Sequence, residues 1–115
     1  MTTYRRGDVV LVPFPFTDLS TIKQRPALTI SSTRFNAAQE DAIMVAITSN
    51  VSAYKNRGVY HISAGEQRKA GLPKEGIVRC NKITTIDQRL IRKTLGSLPK
   101  AAVDRVVDSL LKTIR

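Results

Sequence analysis

The sequence predicts a mainly β fold, a small and strongly curved barrel of about six to seven short strands packed against one C-terminal amphipathic helix. Short runs of β-branched residues recur at intervals of roughly 8–12 residues, with turn-forming residues between them. Only the C-terminal segment changes to helical spacing. The chain has 115 residues, enough for one hydrophobic core, and no linker-like stretch divides it. We therefore treat residues 1–115 as a single domain.

Three strand patterns lie in the first half of the chain. Residues 8–12 form a β-branched run that ends before a proline, because proline cannot donate to a sheet ladder. After a polar loop over residues 17–24, alternating side chains over residues 25–30 predict a second strand. The third, over residues 42–48, ends at Thr48, and the alternation places this side chain on the face opposite its apolar neighbour.

The second half contains shorter strand patterns and one helix, after a polar segment at residues 32–41 with weak helical character. Strands are predicted at residues 59–62, 77–86 and 90–95. Turn-forming residues are dense over residues 71–76. Start signals at Ser97 and Pro99 precede a helical apolar stripe of Val103, Val106, Val107, Leu110, Leu111 and Ile114. This stripe must be buried either on the chain's own barrel or against a second subunit.

Charge is the first indication of function. The chain carries 19 Lys and Arg residues against 9 Asp and Glu, a net charge of +10 at pH 7. Such an excess favours a polyanionic partner. The alternatives are a basic protein without such a partner, or one that binds an acidic protein. Net charge thus indicates a class of ligand and no reaction.

The composition excludes several classes of protein. The longest purely apolar run is six residues, AIMVAI at residues 42–47, far below the ~20 that a membrane-spanning helix needs. A secretory signal requires an apolar segment after its positively charged start, and none follows Arg5 and Arg6. We therefore expect a cytoplasmic protein. Cys80 is the only cysteine, which excludes an intrachain disulfide and a multi-thiolate metal site. We expect this thiol to be buried as a small hydrophobe.

The sequence contains no evident motif for binding a metal ion or a nucleotide. There is one histidine, His61, and there is no carboxylate cluster at ligand spacing, glycine-rich phosphate loop or HExxH motif. We therefore expect no metal and no cofactor. A single imidazole also excludes an acid–base pair of histidines. We interpret His61, which lies inside a predicted short strand, as structural.

Cleavage of RNA without a metal needs other groups. The ribose 2′-hydroxyl attacks its own phosphate if the protein aligns the attack and stabilises charge on the phosphorane. Arginine suits the second task because its planar fork holds two phosphate oxygens, and a hydroxyl adds a further donor. Arg25 would meet Thr48 and Ser49 if the second and third strands pair. From these residues alone, purely structural roles remain the alternative.

Five short segments follow one another along the chain: residues 6–10 (RGDVV), 25–28 (RPAL), 47–50 (ITSN), 71–74 (GLPK) and 82–87 (KITTID). In this order they resemble the MazF/PemK family of type II toxin–antitoxin toxins. The resemblance implies an SH3-like or CcdB-like barrel, a homodimer, and a metal-independent, sequence-specific endoribonuclease acting on single-stranded RNA, with messenger RNA as the expected target. Its products would carry 2′,3′-cyclic phosphate and 5′-hydroxyl ends. A cognate antitoxin with an acidic segment is the implied partner.

The resemblance also implies the site residues. Arg25 and Thr48 match the family's catalytic pair, with Arg25 on the scissile phosphate and Thr48 on the phosphate or the attacking ribose. The expected RNA contacts are Phe16, Asp18, Ser20, Lys23, Gln24, Ser49 and Asn50. Phe14 and Phe16 suit base stacking, and packing inside the barrel is the alternative for both.

Two other functions stay open. A non-enzymatic inhibitor of DNA gyrase, like the related CcdB toxin, would have the same fold class, and a basic barrel can bind RNA without cutting it. The pair of Arg25 and Thr48 argues against the gyrase inhibitor, because a pure protein binder has no need of it. The first loop, PFPFTD at residues 13–18, departs from the glycine-rich, acidic loop of many family members, so the cleavage motif is not predicted.

Overall fold

The computed structural model describes residues 3–14, 23–51 and 58–115. Within these ranges the strands are β1 Asp8–Pro13, β2 Gln24–Thr29, β3 Asp41–Thr48, β4 Val59–His61, β5 Ile77–Asp87 and β6 Lys93–Ser97. The helices are α1 Thr33–Ala38, α2 Ala64–Ala70 and α3 Lys100–Ile114. A 3₁₀ turn at Gln88–Leu90 joins β5 to β6.

The strands form one antiparallel sheet in the order β4-β5-β3-β2-β1-β6. This confirms the predicted mainly β fold with a C-terminal helix. The last strand begins at Lys93 rather than at residue 90. The reason is local, because the Asp87 side chain accepts a hydrogen bond from the Arg89 N–H at 2.9 Å and stabilises the turn that precedes the strand.

Both faces of the sheet are buried, which explains the uninterrupted apolar run of β1. On one face, Val9 and Leu28 belong to a cluster that includes Val103 of α3. On the other face, Val10 belongs to a second cluster, to which no helix contributes among the described residues. Phe14 packs in this second cluster and is 1% exposed. Its side chain therefore has the packing role and is not available to stack on a base.

The helix α3 buries its apolar stripe on the sheet of its own chain. Val103, Val106 and Leu110 are at most 7% exposed, whereas Ile114 near the end of the helix is 67% exposed. The first part of the stripe therefore packs on the sheet of the same chain, whereas Leu111 and Ile114 of the stripe are exposed in the single chain. Cys80 lies in the same cluster at 1% exposure, which confirms its expected burial. Among the described residues, no helix is both long and apolar enough to cross a membrane.

The helix α2 was not predicted from the sequence pattern. This helix begins with a capping box, in which the Ser63 hydroxyl accepts from the Glu66 N–H and the Glu66 carboxylate accepts from the Ser63 N–H at 3.0 Å. It ends at Gly71, which is left-handed at φ +70°, and the Leu72 N–H donates to the Gln67 carbonyl at 3.1 Å. Both cap signals are present in the sequence. A helix of 7 residues is, however, too short to show an apolar period.

Two glycines allow the end of α2 to cross β6 at backbone contact. A side chain at Gly71 would overlap the Leu95 carbonyl group. A Cβ at Gly96 would overlap the Lys69 carbonyl oxygen and lie 2.6 Å from the Ala70 carbonyl carbon. The two backbones therefore approach more closely than any residue with a Cβ permits. This contact fixes the start of the turn that follows α2.

We expect Gly96→Ala to lower the free energy of unfolding by about 1–3 kcal/mol, because the new methyl group forces the backbone of α2 to move. Gly65→Ala in α2 is the matched control, since a Cβ there meets nothing within 4 Å. Helix propensity favours alanine by up to about 1 kcal/mol, so this control keeps or gains stability. Urea unfolding measures both variants. Equal stability of the two would contradict the close crossing.

Candidate active site

A cleft of about 840 Å³ opens where β2 begins and β3 ends. Residues from β1, β2, β3 and β6 line it, together with Ser49, Asn50 and the turn over residues 71–76. Arg25 and Thr48, the predicted catalytic pair, both lie in this lining. The structure thus brings together side chains that are far apart in the sequence.

The pairing of β2 with β3 sets the relation between Arg25 and Thr48. Ala27 is paired with Ala46 and Leu28 with Val45, so the same register extended by two residues places Arg25 opposite Thr48. The paired segment ends at Ala27, next to Pro26, which has no N–H to donate. The two strands therefore separate at these residues, and the cleft begins there.

A row of residues crosses the sheet along the cleft. Leu11 of β1 pairs with Pro26 of β2 on one side and with Lys93 of β6 on the other. Residues paired in this way present their side chains on the same face. Because neighbouring strands lie about 4.8 Å apart, Lys93 is about 10 Å from Pro26. The row of Pro26, Leu11 and Lys93 therefore extends the cleft from the beginning of β2 to β6, the edge strand of the sheet.

The hydroxyl of Thr48 is oriented by its own backbone. Its oxygen accepts a hydrogen bond from the Asn50 N–H at 3.1 Å, in a turn that directly follows β3. As an acceptor in this bond, the hydroxyl keeps its hydrogen to donate to a ligand. Ser49 and Asn50 are exposed beside it and line the same cleft.

The charged lining of the cleft is mostly cationic. Arg25, Lys74 and Lys93 line it, and Glu75 is its only acidic residue among those described. Cations of this density favour a polyanion over a neutral or cationic ligand. Within the described part of the chain, no group of His, Cys, Asp and Glu side chains is placed to hold a metal ion.

The other predicted RNA contacts are distributed differently. Lys23 and Gln24 are exposed at the start of β2 and do not line the cleft. Phe16, Asp18 and Ser20 lie outside the described residues.

Three charged residues of the cleft, Lys74, Glu75 and Lys93, carried no predicted role. The GLPK segment at residues 71–74 supported the family resemblance, but it predicted no role in the site for the turn at residues 71–76. Lys93 had no signal of its own, because its place in the cleft depends on the pairing of β6 with β1.

A sequence model of the family described as PemK-like, MazF-like toxin of type II toxin–antitoxin system matches residues 5–114. The chain belongs to this family. The match confirms the family that the five segments indicate. No curated protein sequence matched the chain.

Solved structures of MazF-like proteins share this fold over nearly their whole length. The crystal structure of MazF from Deinococcus radiodurans has a TM-score of 0.79 at 20% identity, covering 99% of this chain and 98% of that one. An endoribonuclease from a mycobacterial species has a TM-score of 0.76 at 19% identity, with 99% and 93% covered. A mycobacterial endoribonuclease in complex with its cognate antitoxin has a TM-score of 0.77 at 17% identity, with 96% and 94% covered. At these identities the likeness shows a common fold.

In this MazF-like chain, a hydrogen-bonded pair holds α2 and hence the turn that borders the cleft. The Tyr60 hydroxyl of β4 donates to the Glu66 carboxylate at 2.8 Å. Burial acts to raise the pKa of Glu66, but hydrogen bonds from Ser63 and Tyr60, together with the charge of Arg105, outweigh it and leave the pKa below its ordinary value. Burial and the Glu66 contact raise the pKa of Tyr60. The pair is therefore most stable with Glu66 ionised and Tyr60 protonated.

These shifts set a pH window for stability. Because the folded pKa of Glu66 lies below the ordinary 4.5, its contribution is complete above that pH and is lost as the pH falls further. We expect Glu66→Gln to be less stable than the wild type at pH 7, with a difference that shrinks below about pH 4.5. Tyr60→Phe should cost about 0.5–1.5 kcal/mol at pH 7.

Urea unfolding at a series of pH values measures these differences. Glu40→Gln, at an exposed residue outside the cleft, is the control for the loss of one carboxylate. A constant difference between Glu66→Gln and the wild type from pH 7 to pH 3 would refute the assignment.

Proposed function

We propose that the protein is the RNA-cleaving toxin of a type II toxin–antitoxin system, a sequence-specific endoribonuclease acting on single-stranded RNA, with messenger RNA as the expected target. The observation that carries this proposal is the presence of Arg25 and Thr48 in one cationic cleft at the facing ends of β2 and β3. Family membership and the fold shared with proteins named endoribonucleases support the same function.

The proposed reaction is attack of the ribose 2′-oxygen on the adjacent phosphorus. The new bond to the 2′-oxygen forms as the bond to the 5′-oxygen breaks. The 2′-hydroxyl loses one proton and the leaving 5′-oxygen takes up one, with no net change in protons, which leaves a 2′,3′-cyclic phosphate and a 5′-hydroxyl. Negative charge grows on the non-bridging oxygens, and the bidentate guanidinium of Arg25 stabilises it. We assign Arg25 this role rather than proton abstraction, because a guanidinium does not readily lose its proton.

Thr48 supplies a preorganised donor in this scheme. Its hydroxyl accepts from the Asn50 N–H and donates its own hydrogen to a phosphate oxygen or to the attacking ribose. A fixed donor costs no reorganisation when the charge develops. The charge stabilisation that a metal ion supplies in other nucleases here comes from Arg25, so cleavage should proceed in the presence of a chelator.

The partners follow from the same cleft. An antitoxin with an acidic segment would neutralise Arg25, Lys74 and Lys93 and block the entry of RNA. A fold neighbour described as an endoribonuclease in complex with its cognate antitoxin supports such a partner. We also propose a homodimer, as the resemblance to the MazF/PemK family implies, and action in the cytoplasm, where the RNA substrate is present.

Substitution of the catalytic pair tests the proposal. In EDTA, the wild type should cut a long single-stranded RNA at a short motif and leave cyclic-phosphate ends. Arg25→Ala and Thr48→Ala should each lower the cleavage rate by about 100- to 1000-fold. Arg25→Lys should recover only part of the loss, because lysine offers a point charge and no fork. Arg34→Ala, which removes an exposed arginine of α1 outside the cleft, is the matched control.

The same experiment separates the rival functions. RNA that is bound with strong salt dependence but stays intact would indicate a binding barrel without cleavage. RNA that is neither bound nor cut by a folded wild-type protein would favour a protein target such as gyrase. Cleavage that survives in both alanine variants would place the active site elsewhere.

A further inference from the structure

The cleft contains one carboxylate among its described lining residues, and we propose that it reads an RNA base. Glu75 lies there together with Arg25, Lys74 and Lys93. The inference rests on the proposed RNA-cleaving function and concerns its sequence specificity. Glu75 would select, at one position next to the cut, a base that carries an exocyclic amino group.

A carboxylate in this place does not help to bind the RNA backbone. When ionised it only accepts hydrogen bonds, and it repels the phosphates that the neighbouring cations attract. The donors of RNA are the ribose 2′-hydroxyls and the base edges, which carry the amino groups of adenine, cytosine and guanine and the ring N–H groups of guanine and uracil. Acidic side chains accept hydrogen bonds from such amino groups. Uracil has no amino group, and its one ring N–H lies between two carbonyl oxygens that repel a carboxylate, so Glu75 should disfavour it.

The turn that carries Glu75 is fixed at both ends. At its start, Leu72 donates to the Gln67 carbonyl at 3.1 Å, and the Gln67 side-chain amide donates back to the Leu72 carbonyl at 3.2 Å. At its end, the Gly76 carbonyl accepts from the Ile62 N–H at 3.1 Å. Side chains on the turn therefore project from a backbone that needs little ordering when a ligand binds.

The end of the turn also lies against the candidate catalytic residues. A Cβ at Gly76 would be 3.2 Å from the Thr48 carbonyl oxygen, so the backbone directly after Glu75 touches the end of β3. A nucleotide held at Arg25 and Thr48 thus has its neighbouring base beside Glu75. This contact places the selected base next to the scissile phosphate.

Two other carboxylates among the described residues are paired with cations. Asp104 pairs with Arg6 at 2.9 Å and with Lys100 at 2.8 Å, and Asp87 pairs with Arg89 at 2.8 Å. In the described ranges no salt bridge holds Glu75, which is exposed. Both of its oxygens are therefore available to a base.

The test compares cleavage of an RNA with a randomised segment by the wild type, Glu75→Gln and Glu40→Gln, with the fragment ends mapped. At one position beside the cut, the wild type should favour amino-bearing bases over uracil by about tenfold. In Glu75→Gln this preference should largely disappear, because an amide both donates and accepts. Preferences at the other positions should stay. Glu40→Gln, with the same charge change outside the cleft, should keep the wild-type pattern.

Three other outcomes would overturn either the role of Glu75 or the proposed function. An unchanged base preference in a folded Glu75→Gln variant overturns the role of Glu75. So does a uniform increase in rate on all sequences, because this indicates the loss of a general repulsion. Intact RNA with the wild-type protein overturns the proposed function itself, and the inference with it. Urea unfolding of each variant shows that it is folded.

Discussion

The antiparallel register of β2 and β3 is the constraint on which the candidate site depends. Leu28 pairs with Val45, and both are fully buried in the cluster under α3. A slip of one residue would turn Leu28 away from that cluster, so burial specifies the register. Continued two residues beyond the paired segment, the same register leads to Arg25 and Thr48, which line one cleft. Apolar residues of the core thus determine the positions of two polar residues at the surface.

The cleft also depends on a second constraint, the contact of α2 with β6. Gly71 and Gly96 allow the two backbones to meet, and the turn that follows α2 continues to Gly76, against the carbonyl of Thr48. Without these glycines the turn would lie farther from β3, and the cleft would lose the wall that carries Lys74. The geometry of the site therefore depends on small residues that have no chemistry of their own.

The distribution of charge differs between the cleft and the rest of the described surface. A net charge of +10 attracts a polyanion to the protein as a whole. Outside the cleft, local ion pairs offset part of this positive charge. Asp104 on α3 is shared by Arg6 and Lys100. Exposed pairs of this kind contribute little stability, and Asp104 and its two partners do not line the cleft. The cations that line the cleft suit a phosphate backbone, and Glu75 is the exception that suits a base.

The sequence by itself determined the element types with strong local patterns. The strands β1, β2 and β3 and the helix α3 follow from alternation or helical spacing, because each buries a face whose period is written in neighbouring residues. The candidate pair of Arg25 and Thr48 came from the family resemblance, with the chemistry of arginine as its physical reason. Physics alone left the structural alternative open.

Only the tertiary structure decided which residues share the cleft. Lys93 reaches it because β6 pairs with β1, two segments that are distant in the chain, and no local pattern encodes that pairing. The short helix α2 and its glycine contact with β6 escaped prediction for the same reason. The burial of Phe14, which a sequence cannot distinguish from a base-stacking role, was decided by the second core cluster. Local periodicity specifies elements, whereas long-range packing specifies what meets at the site.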